Sequence, residues 1–556
     1  MAVTPGLLYV TMQPKSSLAD AQFHDWYNNE HGPTRLRLPF CTNGFRYRAT
    51  DLNGQAGSES QPEWLAIYDI TDMKTLTEET YLRLRDPPVK SQREVNTMKQ
   101  IKVDRKLYDL IHEQKSAEFR KLEEVGNEGE ERVLVSVALD LKAGEEYAEE
   151  WEKWYKEEHI DMLSKVPGWL RTRMYITSSI DGNARPEYVA LHDYKPQNGL
   201  GGAEFQAAVS TPWAKRMLNE VAIGKNRRVY DLYYTFGPAP RHIAKDLAEW
   251  KSSDAKASLT RTFASSACGN GAVESFITTK DGVELPYRLE GSSDPSAPLI
   301  VLSNSILVDW GIWDGFVQSF FTSEVNKKYR ILRYLTRGRQ VSVGNTKTTV
   351  DVLASDIITI LDALRIKQAA AVIGVSLGGA TALNTALKYP LRVSSFISCD
   401  TSSKSPAGNS KAWGDRITIA EKEASISSNT QRPIVGEELA EATVRRWFVK
   451  ESYEDRSIAE KIATVKEMVS SNDLEGFKGS VTALFEYDLK EEMKKSKVRG
   501  AFVVGAGDGV LPGTMKSMAE EYGDGAEYKV IDKAGHLPMV EKPDEFAEFV
   551  SEFLSR

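Results

Sequence analysis

A serine, an acid and a histidine follow one another in the C-terminal half of the chain, in an order that suits nucleophilic chemistry. Ser376 is the central residue of Gly-Val-Ser-Leu-Gly at 374–378, Asp508 lies in a glycine-rich loop, and His536 follows an Ala-Gly pair. His536 is the only histidine after residue 242, so it is the one imidazole available there as a base near neutral pH. A serine hydroxyl becomes a nucleophile when an imidazole takes its proton and a carboxylate orients that imidazole. The three residues therefore predict a nucleophile, an acid and a base.

Two other carboxylates compete with Asp508 for the role of the acid. Asp400 follows the apolar run 393–399, and Asp532 lies four residues before the histidine. Asp508 is favoured because it comes just after the apolar run 500–505, and catalytic side chains lie beyond the carboxyl ends of parallel strands. Asp400 stays open as the alternative acid, and Asp532 is interpreted as a residue that solvates its loop.

The sequence around these residues alternates between short apolar runs and helix-like stretches. The runs 298–302, 330–334 and 369–373 are typical of buried strands, and 379–387 indicates a helix rich in Ala and Leu. This alternation predicts a largely parallel sheet with helices on both faces. Ser376 then stands on a tight turn from strand to helix, where flanking glycines permit a strained backbone.

Residues 275–556 resemble the α/β hydrolases, and among them the 3-oxoadipate enol-lactonase branch. The resemblance rests on the strand–serine–helix motif, on the order of the three residues and on four short motifs. These motifs are Ser303-Asn304-Ser305, Arg333-Tyr334-x-Thr336-Arg337-Gly338, Arg446-Trp447-Phe448 and Asp488-Leu489. The resemblance implies a serine hydrolase that cleaves a lactone or ester. It also implies that the backbone N–H groups of Ser305 and Leu377 form the oxyanion hole.

The chain departs from this branch at two places near the expected site. Leu335 stands where these relatives usually carry Asp, and Leu307-Val308 replaces a flexible Leu-Gly pair. The departures leave the substrate open. A C–C bond hydrolase that uses the same three residues is one alternative.

Residues 401–480 form an insertion that is too long for a simple connection between a strand and the next one. Apolar and charged residues at helical spacing predict a helical cap over the active site. Trp413, Arg446 and Trp447 are the candidate substrate-binding residues. Packing within the cap is the alternative role for both tryptophans.

The first 240 residues contain an internal repeat. Segment 23–31 matches 151–159, aromatic on aromatic, and both end in Glu-His, at Glu30-His31 and Glu158-His159. Each copy predicts the order strand, helix, strand, strand, helix, strand, which is the ferredoxin-like α+β pattern. The Glu-His pairs are interpreted either as closing the first helix or as catalytic groups.

The repeated region resembles the EthD-like members of the dimeric α/β barrel superfamily. In that family two such sheets pair into a barrel, so the resemblance implies an intramolecular barrel. A second hypothesis follows for the whole chain. The N-terminal barrel would act as a lyase or cyclase on a polyketide-like or aromatic intermediate.

Four segments are predicted: repeats at 1–120 and 121–236, a linker at 237–271 that includes a short helix at 243–250, and the capped hydrolase domain at 272–556. The expected partner is a small-molecule lactone or ester, and the protein is expected to be a monomer or homodimer.

Composition and charge narrow the class of protein. The formal net charge of -8 argues against a nucleic-acid or anionic-membrane surface, and no apolar run is long enough for a transmembrane span. No secretory signal is found, so a cytoplasmic location is expected. Three scattered cysteines predict reduced thiols, without a disulfide framework or a metal site, and no cofactor is expected.

Overall fold

The computed structural model describes residues 3–52, 55–85, 90, 92–121, 132–181, 186–238, 272–292, 294, 296–339, 344 and 346–556. The chain divides into two compact units, Met1–His242 and Ile243–Arg556. The predicted linker, with its helix, lies outside the described residues apart from its first two positions.

The N-terminal unit is a closed barrel of eight antiparallel strands. In chain order these are β1 (Gly6–Pro14), β2 (Cys41–Ala49), β3 (Trp64–Ile70), β4 (Ile101–Lys115), β5 (Val133–Leu141), β6 (Trp169–Thr177), β7 (Tyr188–Tyr194) and β8 (Ala222–Thr235). They follow one another around the barrel as β1-β3-β2-β8-β5-β7-β6-β4. Each half therefore supplies four strands in the same spatial order, and the halves meet where β2 pairs with β8 and β4 with β6.

Side chains from alternate strand positions fill the interior of this barrel. An apolar cluster includes Leu7, Tyr9, Phe45, Tyr47, Tyr108, Tyr175 and Tyr230. Beside it, Arg173 donates to Asp69 at 2.8 Å and Arg171 donates to Asp193 at 2.7 Å. An eight-stranded barrel has an interior about wide enough for its side chains. The interior is thus a packed core crossed by buried ion pairs.

Short helices cover the outer face of the strands. In chain order these are α1 (Asp20–Trp26), α2 (Gly32–Leu36), α3 (Glu79–Leu82), α4 (Gln92–Met98), α5 (Glu145–Trp154), α6 (Ile160–Ser164), α7 (Ala203–Ser210) and α8 (Pro212–Arg216). The aromatic stripe of each first helix is buried, as its spacing predicts: Phe23, Trp26, Tyr27, Trp151, Trp154 and Tyr155.

The expectation that the Glu-His pairs close the first helix is wrong. Glu30-His31 lies in a π-helical turn, Tyr27–His31, which joins α1 to α2 without a break. The second copy repeats this arrangement at Tyr155–His159. In the first copy the helix continues through Gly32 and Pro33 to Leu36.

The C-terminal unit contains an eight-stranded sheet. Its strands are β9 (Ala272–Thr278), β10 (Glu284–Gly291), β11 (Leu299–Ser303), β12 (Arg330–Tyr334), β13 (Ala371–Val375), β14 (Ser395–Cys399), β15 (Arg499–Gly505) and β16 (Glu527–Ile531). The spatial order is β16-β15-β14-β13-β11-β12-β10-β9. Strands β11 to β16 are parallel, and β9 and β10 add an antiparallel hairpin at one edge.

Helices of this unit flank the sheet or lie in the long insertion. The flanking helices are α9 (Asp314–Phe320), α10 (Val350–Ala363), α11 (Leu377–Lys388), and, after the insertion, α16 (Lys490–Met493), α17 (Leu511–Glu521), α18 (Pro538–Glu541) and α19 (Pro543–Ser555). The insertion between β14 and β15 holds α12 (Asn409–Glu423), α13 (Glu437–Trp447), α14 (Arg456–Ser470) and α15 (Leu474–Val481).

Among the helices of the described residues, none combines the length and apolar character that crossing a membrane requires.

Candidate active site

Ser376 stands on a strained turn between β13 and α11. Its backbone has φ +59° and ψ −118°, a conformation that few non-glycine residues adopt. A Cβ added to Gly374 would lie 2.0 Å from the Gly378 carbonyl oxygen, and one added to Gly378 would lie 2.2 Å from the Ser303 oxygen. Because these are backbone contacts, both glycines are needed for the turn to form.

His536 and Asp508 form the hydrogen bond expected of a base and the acid that orients it. The distance from His536 Nδ1 to Asp508 Oδ2 is 2.7 Å, and the two side chains are only 13% and 15% exposed. A carboxylate at Nδ1 assigns the proton to that nitrogen, which leaves Nε2 free to accept one. The imidazole is therefore in the tautomer that a serine nucleophile requires.

The sheet brings these residues to one edge. Ser376, Asp508 and His536 follow β13, β15 and β16, which are parallel, so their carboxyl ends meet on the same side. The two loops after β15 and β16 are bonded to each other, since the Gly507 N–H donates to the Ala534 carbonyl at 2.8 Å. The predicted acid and base are thus fixed together on the edge where Ser376 stands.

The loop after β11 packs directly against the serine turn. The Asn304 side chain locks this loop, donating to the Tyr334 carbonyl at 2.8 Å and accepting from Trp313 Nε1 at 2.9 Å. Ser305 follows it and is 1% exposed, and Leu377 is the first residue of α11. The two backbone N–H groups predicted for the oxyanion hole therefore belong to segments in contact with each other.

The competing acids have other surroundings. Asp400 is buried, and its Oδ1 accepts from the Gly505 N–H at 2.9 Å. Burial, followed by the charge of Asp508, raises the pKa of Asp400 well above its usual range. Asp532 is exposed to solvent. Of the three carboxylates considered, Asp508 is the one bonded to His536.

Trp447 lies against the base. Its ring stacks on the His536 imidazole with 5.5 Å between centroids, and its carbonyl accepts from the His536 N–H at 2.7 Å. A Cβ on Gly535 would lie 2.3 Å from that carbonyl oxygen. The structure therefore gives Trp447, expected to bind substrate, a position from which it orients His536.

Two arginines of the cap flank Trp413. The guanidinium carbons of Arg416 and Arg446 lie 4.5 and 6.0 Å from its ring centroid. Among the described residues, neither guanidinium has a carboxylate within ion-pair distance. Arg446 is exposed to solvent, yet desolvation, followed by the Arg416 charge, lowers its pKa to about 10, with Asp508 opposing.

Glu541 is a site residue that the sequence did not reveal. Its carboxylate accepts from the Gly535 N–H at 2.5 Å, from Ser452 Oγ at 2.6 Å and from the Val449 N–H at 3.2 Å. It ties the His536 loop to the segment between α13 and α14. Arg416 was also missed, although it lies one helical turn after Trp413.

The Glu-His pairs of the barrel differ between the two copies. His31 Nδ1 lies 3.0 Å from Glu94 Oε1, whereas His159 Nδ1 lies 3.2 Å from the Ala208 carbonyl oxygen. Burial lowers the pKa of both histidines to about 4. Only the first copy therefore pairs its histidine with a carboxylate. Within the described ranges, no cluster of three or more histidine, cysteine or acidic side chains is placed to hold a metal ion.

Comparison with known proteins places the C-terminal half in a class. Residues 300–549 match the model of the alpha/beta hydrolase family. 3-Oxoadipate enol-lactonase 1 of Acinetobacter baylyi is 28% identical over 279 residues, which are 50% of this chain and 96% of that protein. The C-terminal half is an α/β hydrolase that resembles enol-lactonases, and the protein is a carboxylic ester hydrolase.

Two further proteins are similar over the same half. 3-Oxoadipate enol-lactonase 2 of Acinetobacter baylyi is 27% identical over 284 residues, covering 50% of this chain and 96% of that protein. The crystal structure of the enol-lactonase from Burkholderia xenovorans LB400 has 27% identity and a TM-score of 0.45, covering 51% of this chain and 100% of that one.

Proposed function

We propose that the C-terminal unit hydrolyses a lactone or ester that carries a carboxylate, with Ser376 as the nucleophile. The hydrogen bond of 2.7 Å between His536 and Asp508, at the sheet edge that holds the strained serine turn, carries this proposal. Acyl transfer through a serine requires a nucleophile, a base and an acid, which are the roles proposed for these three residues.

The geometry supports a two-step reaction. Ser376 Oγ attacks the carbonyl carbon while His536 Nε2 takes the hydroxyl proton and Asp508 stabilises the imidazolium. The N–H groups of Ser305 and Leu377 bind the oxyanion. His536 then gives its proton to the leaving oxygen, which for an enol-lactone departs as an enol and becomes a ketone. Water, activated by His536, releases the acid from Ser376.

Arg416 and Arg446 support an anionic substrate. The charge of Arg416 lowers the pKa of Arg446, so an anion bound near both guanidinium groups would relieve their repulsion. A guanidinium binds a carboxylate through paired N–H groups. The similar enol-lactonases are named for 3-oxoadipate, a dicarboxylate, and we extend that substrate class to this chain.

The test uses the purified full chain and a carboxylate-bearing enol-lactone, compared with its neutral methyl ester. Ser376→Ala is expected to abolish hydrolysis and labelling by a fluorophosphonate, whereas Ser517→Ala, at an exposed serine of α17, keeps both. Arg446→Met is expected to raise KM about 10-fold or more for the anionic lactone and to leave the ester nearly unchanged. Full activity of Ser376→Ala would refute the proposal. Cleavage of a vinylogous diketone without lactone turnover would replace it with a C–C bond hydrolase.

For the N-terminal unit we propose a tandem pair of EthD-like, ferredoxin-like repeats that form an intramolecular barrel, with boundaries at 1–120 and 121–236. The equal strand order of the two halves supports it. The linker at 237–271, the hydrolase domain at 272–556 and its cap at about 401–480 complete the proposed organisation.

One observation favours a second activity in this barrel. His31 has a buried carboxylate partner, Glu94, and His159 has none of this kind among the described residues. We propose His31 as the candidate acid–base group of a lyase or cyclase. His31→Gln should then stop turnover of a cyclisable substrate with Ser376 still labelled by fluorophosphonate, and His159→Gln should not. Equal effects of both variants would assign the two histidines to structure.

A further inference from the structure

Two carboxyl groups lie near the loop that carries His536. Asp400 follows β14, and Asp508 lies in the loop after the adjacent parallel strand β15. Asp400 is 1% exposed, and the charge of Asp508 helps to raise its pKa, so the two carboxyls lie near each other. Asp508 holds His536 on its other side. Asp508 therefore lies between Asp400 and the proposed base, His536.

The oxygens of Asp400 have unequal surroundings. Oδ1 accepts from the Gly505 N–H at 2.9 Å, and the Asp400 N–H donates to the Val503 carbonyl at 3.1 Å. Oδ2 is buried and has no hydrogen-bond partner among the described residues when Asp400 is treated as a carboxylate. The residue has φ +45°, so these contacts hold it in an uncommon backbone conformation. One oxygen is thus satisfied as an acceptor, and the other is buried without a donor among the described residues.

Two ionised carboxylates cannot bond to each other, because both only accept. A contact between them requires one proton on the pair, as in other carboxyl dyads. Asp508 already receives a proton donor from His536, so the shared proton belongs on Asp400. The groups around Asp400 support this assignment of the proton. Burial, then the charges of Asp508 and Glu541, raises its pKa, opposed by the Gly505 N–H, and its neighbour Cys399 is buried as well.

We infer that Asp400 is held as the neutral acid and donates a hydrogen bond from Oδ2 to the Asp508 carboxylate, which makes it a positioning residue for the catalytic acid. This inference rests on the proposed serine hydrolase function. The bond occupies one lone pair of Asp508 and fixes the plane of its carboxylate relative to His536. Asp400 is then a donor to the triad acid rather than a substitute for it.

The matched pair of variants is Asp400→Asn and Asp400→Leu, made in the full chain. An amide reproduces both bonds of the neutral acid, since its oxygen accepts from the Gly505 N–H and its NH₂ donates to Asp508. Leucine has a similar size and makes neither bond. Asp400→Leu is expected to lower kcat roughly 10- to 100-fold and to move the acidic limb of the kcat/KM profile, while Asp400→Asn restores kcat to within about 3-fold of wild type.

Infrared difference spectroscopy gives a readout that does not depend on activity or on how Asp400→Leu folds. The carbonyl band of a protonated carboxylic acid is expected in wild type at pH 7 and is expected to be lost in Asp400→Asn. A missing band would overturn the inference, as would an Asp400→Asn variant as impaired as Asp508→Asn. A folded Asp400→Leu with wild-type kcat and pH profile would do the same. If lactones and esters are not hydrolysed but the band is present, the proposed function fails and the carboxyl pair stands.

Discussion

At the scale of single residues, the position of His536 depends on contacts from both the sheet and the cap. Asp508 binds Nδ1 at 2.7 Å, the Trp447 ring stacks on the imidazole, and Glu541 holds the backbone of the preceding glycine. An aromatic face favours a cation lying over it. In the proposed mechanism, the imidazolium that forms when Ser376 is deprotonated would be stabilised by a carboxylate and by a ring.

Trp447→Leu is expected to lower kcat about 10-fold, because the ring face contributes roughly 0.5–2 kcal/mol to a partly desolvated cation. Trp447→Phe keeps a ring and should recover most of this loss. Steady-state kinetics with the carboxylate-bearing lactone would separate kcat from KM. A substrate-wall role for Trp447 predicts instead a rise in KM with kcat maintained, and that outcome would contradict the orienting role.

At the scale of elements, the serine turn and the loop after β11 fit together only because a glycine lies between them. A Cβ on Gly378 would approach the backbone oxygens of Ser303 and Asn304 to 2.2 and 2.6 Å. Backbone atoms held in a sheet cannot move away as a flexible side chain would. The first turn of α11 and the loop after β11 must separate if a side chain fills this space.

Gly378→Ala is therefore expected to reduce kcat/KM by at least about 100-fold, the loss typical of a misplaced oxyanion donor. Gly513→Ala is the matched control, because a Cβ there meets nothing within 4 Å and the residue lies inside α17. Alanine at an open helical position should stabilise the unit by about 0.5–1 kcal/mol with activity intact. Thermal unfolding and kinetics of both variants check this, and an active Gly378→Ala enzyme would show that the two segments are not rigidly coupled.

The sequence predicts local features of this unit well. The parallel strands and the helix after Ser376 depend on short-range patterns, and each forms within a few residues of its predicted bounds. Helix α10 begins at Val350, where Thr349 accepts from the Val352 N–H as its N-terminal cap.

Features that depend on distant parts of the chain were not predictable. The role of Glu541 arises from its contacts with the segment between α13 and α14, and that of Arg416 from the approach of α13 to α12. No local pattern specifies such contacts. The π-helical turn at Tyr27–His31 was missed because Gly-Pro after Glu-His normally indicates a helix end. Packing of the aromatic stripe overrides that local signal.

At the scale of the whole molecule, the histidines are distributed unequally between the two units. Six of the seven histidines lie before residue 243, and four of them pack into the barrel unit. These four are His24, His31, His159 and His192, whose pKa values are lowered to about 3 or 4, with burial the largest cause in each. The barrel therefore folds with these imidazoles neutral, while an unfolded chain would protonate them near pH 6.5.

The barrel unit is expected to lose stability as the pH falls from about 6.5 towards 4. In this window the unfolded chain binds more protons than the folded one, so acid favours unfolding; above it the histidines are neutral in both states. A histidine lowered from 6.5 to about 4, such as His159, contributes roughly 3 kcal/mol to this loss. His159→Gln keeps a donor for the Ala208 carbonyl but cannot take up a proton, so its melting temperature should depend less steeply on pH. Calorimetry of the full chain between pH 7 and 4.5 measures the melting temperature. The transition that shifts in Gly513→Ala belongs to the C-terminal unit, so the other transition is that of the barrel unit. An equal pH slope in wild type and His159→Gln would show that the buried imidazole does not drive the acid response.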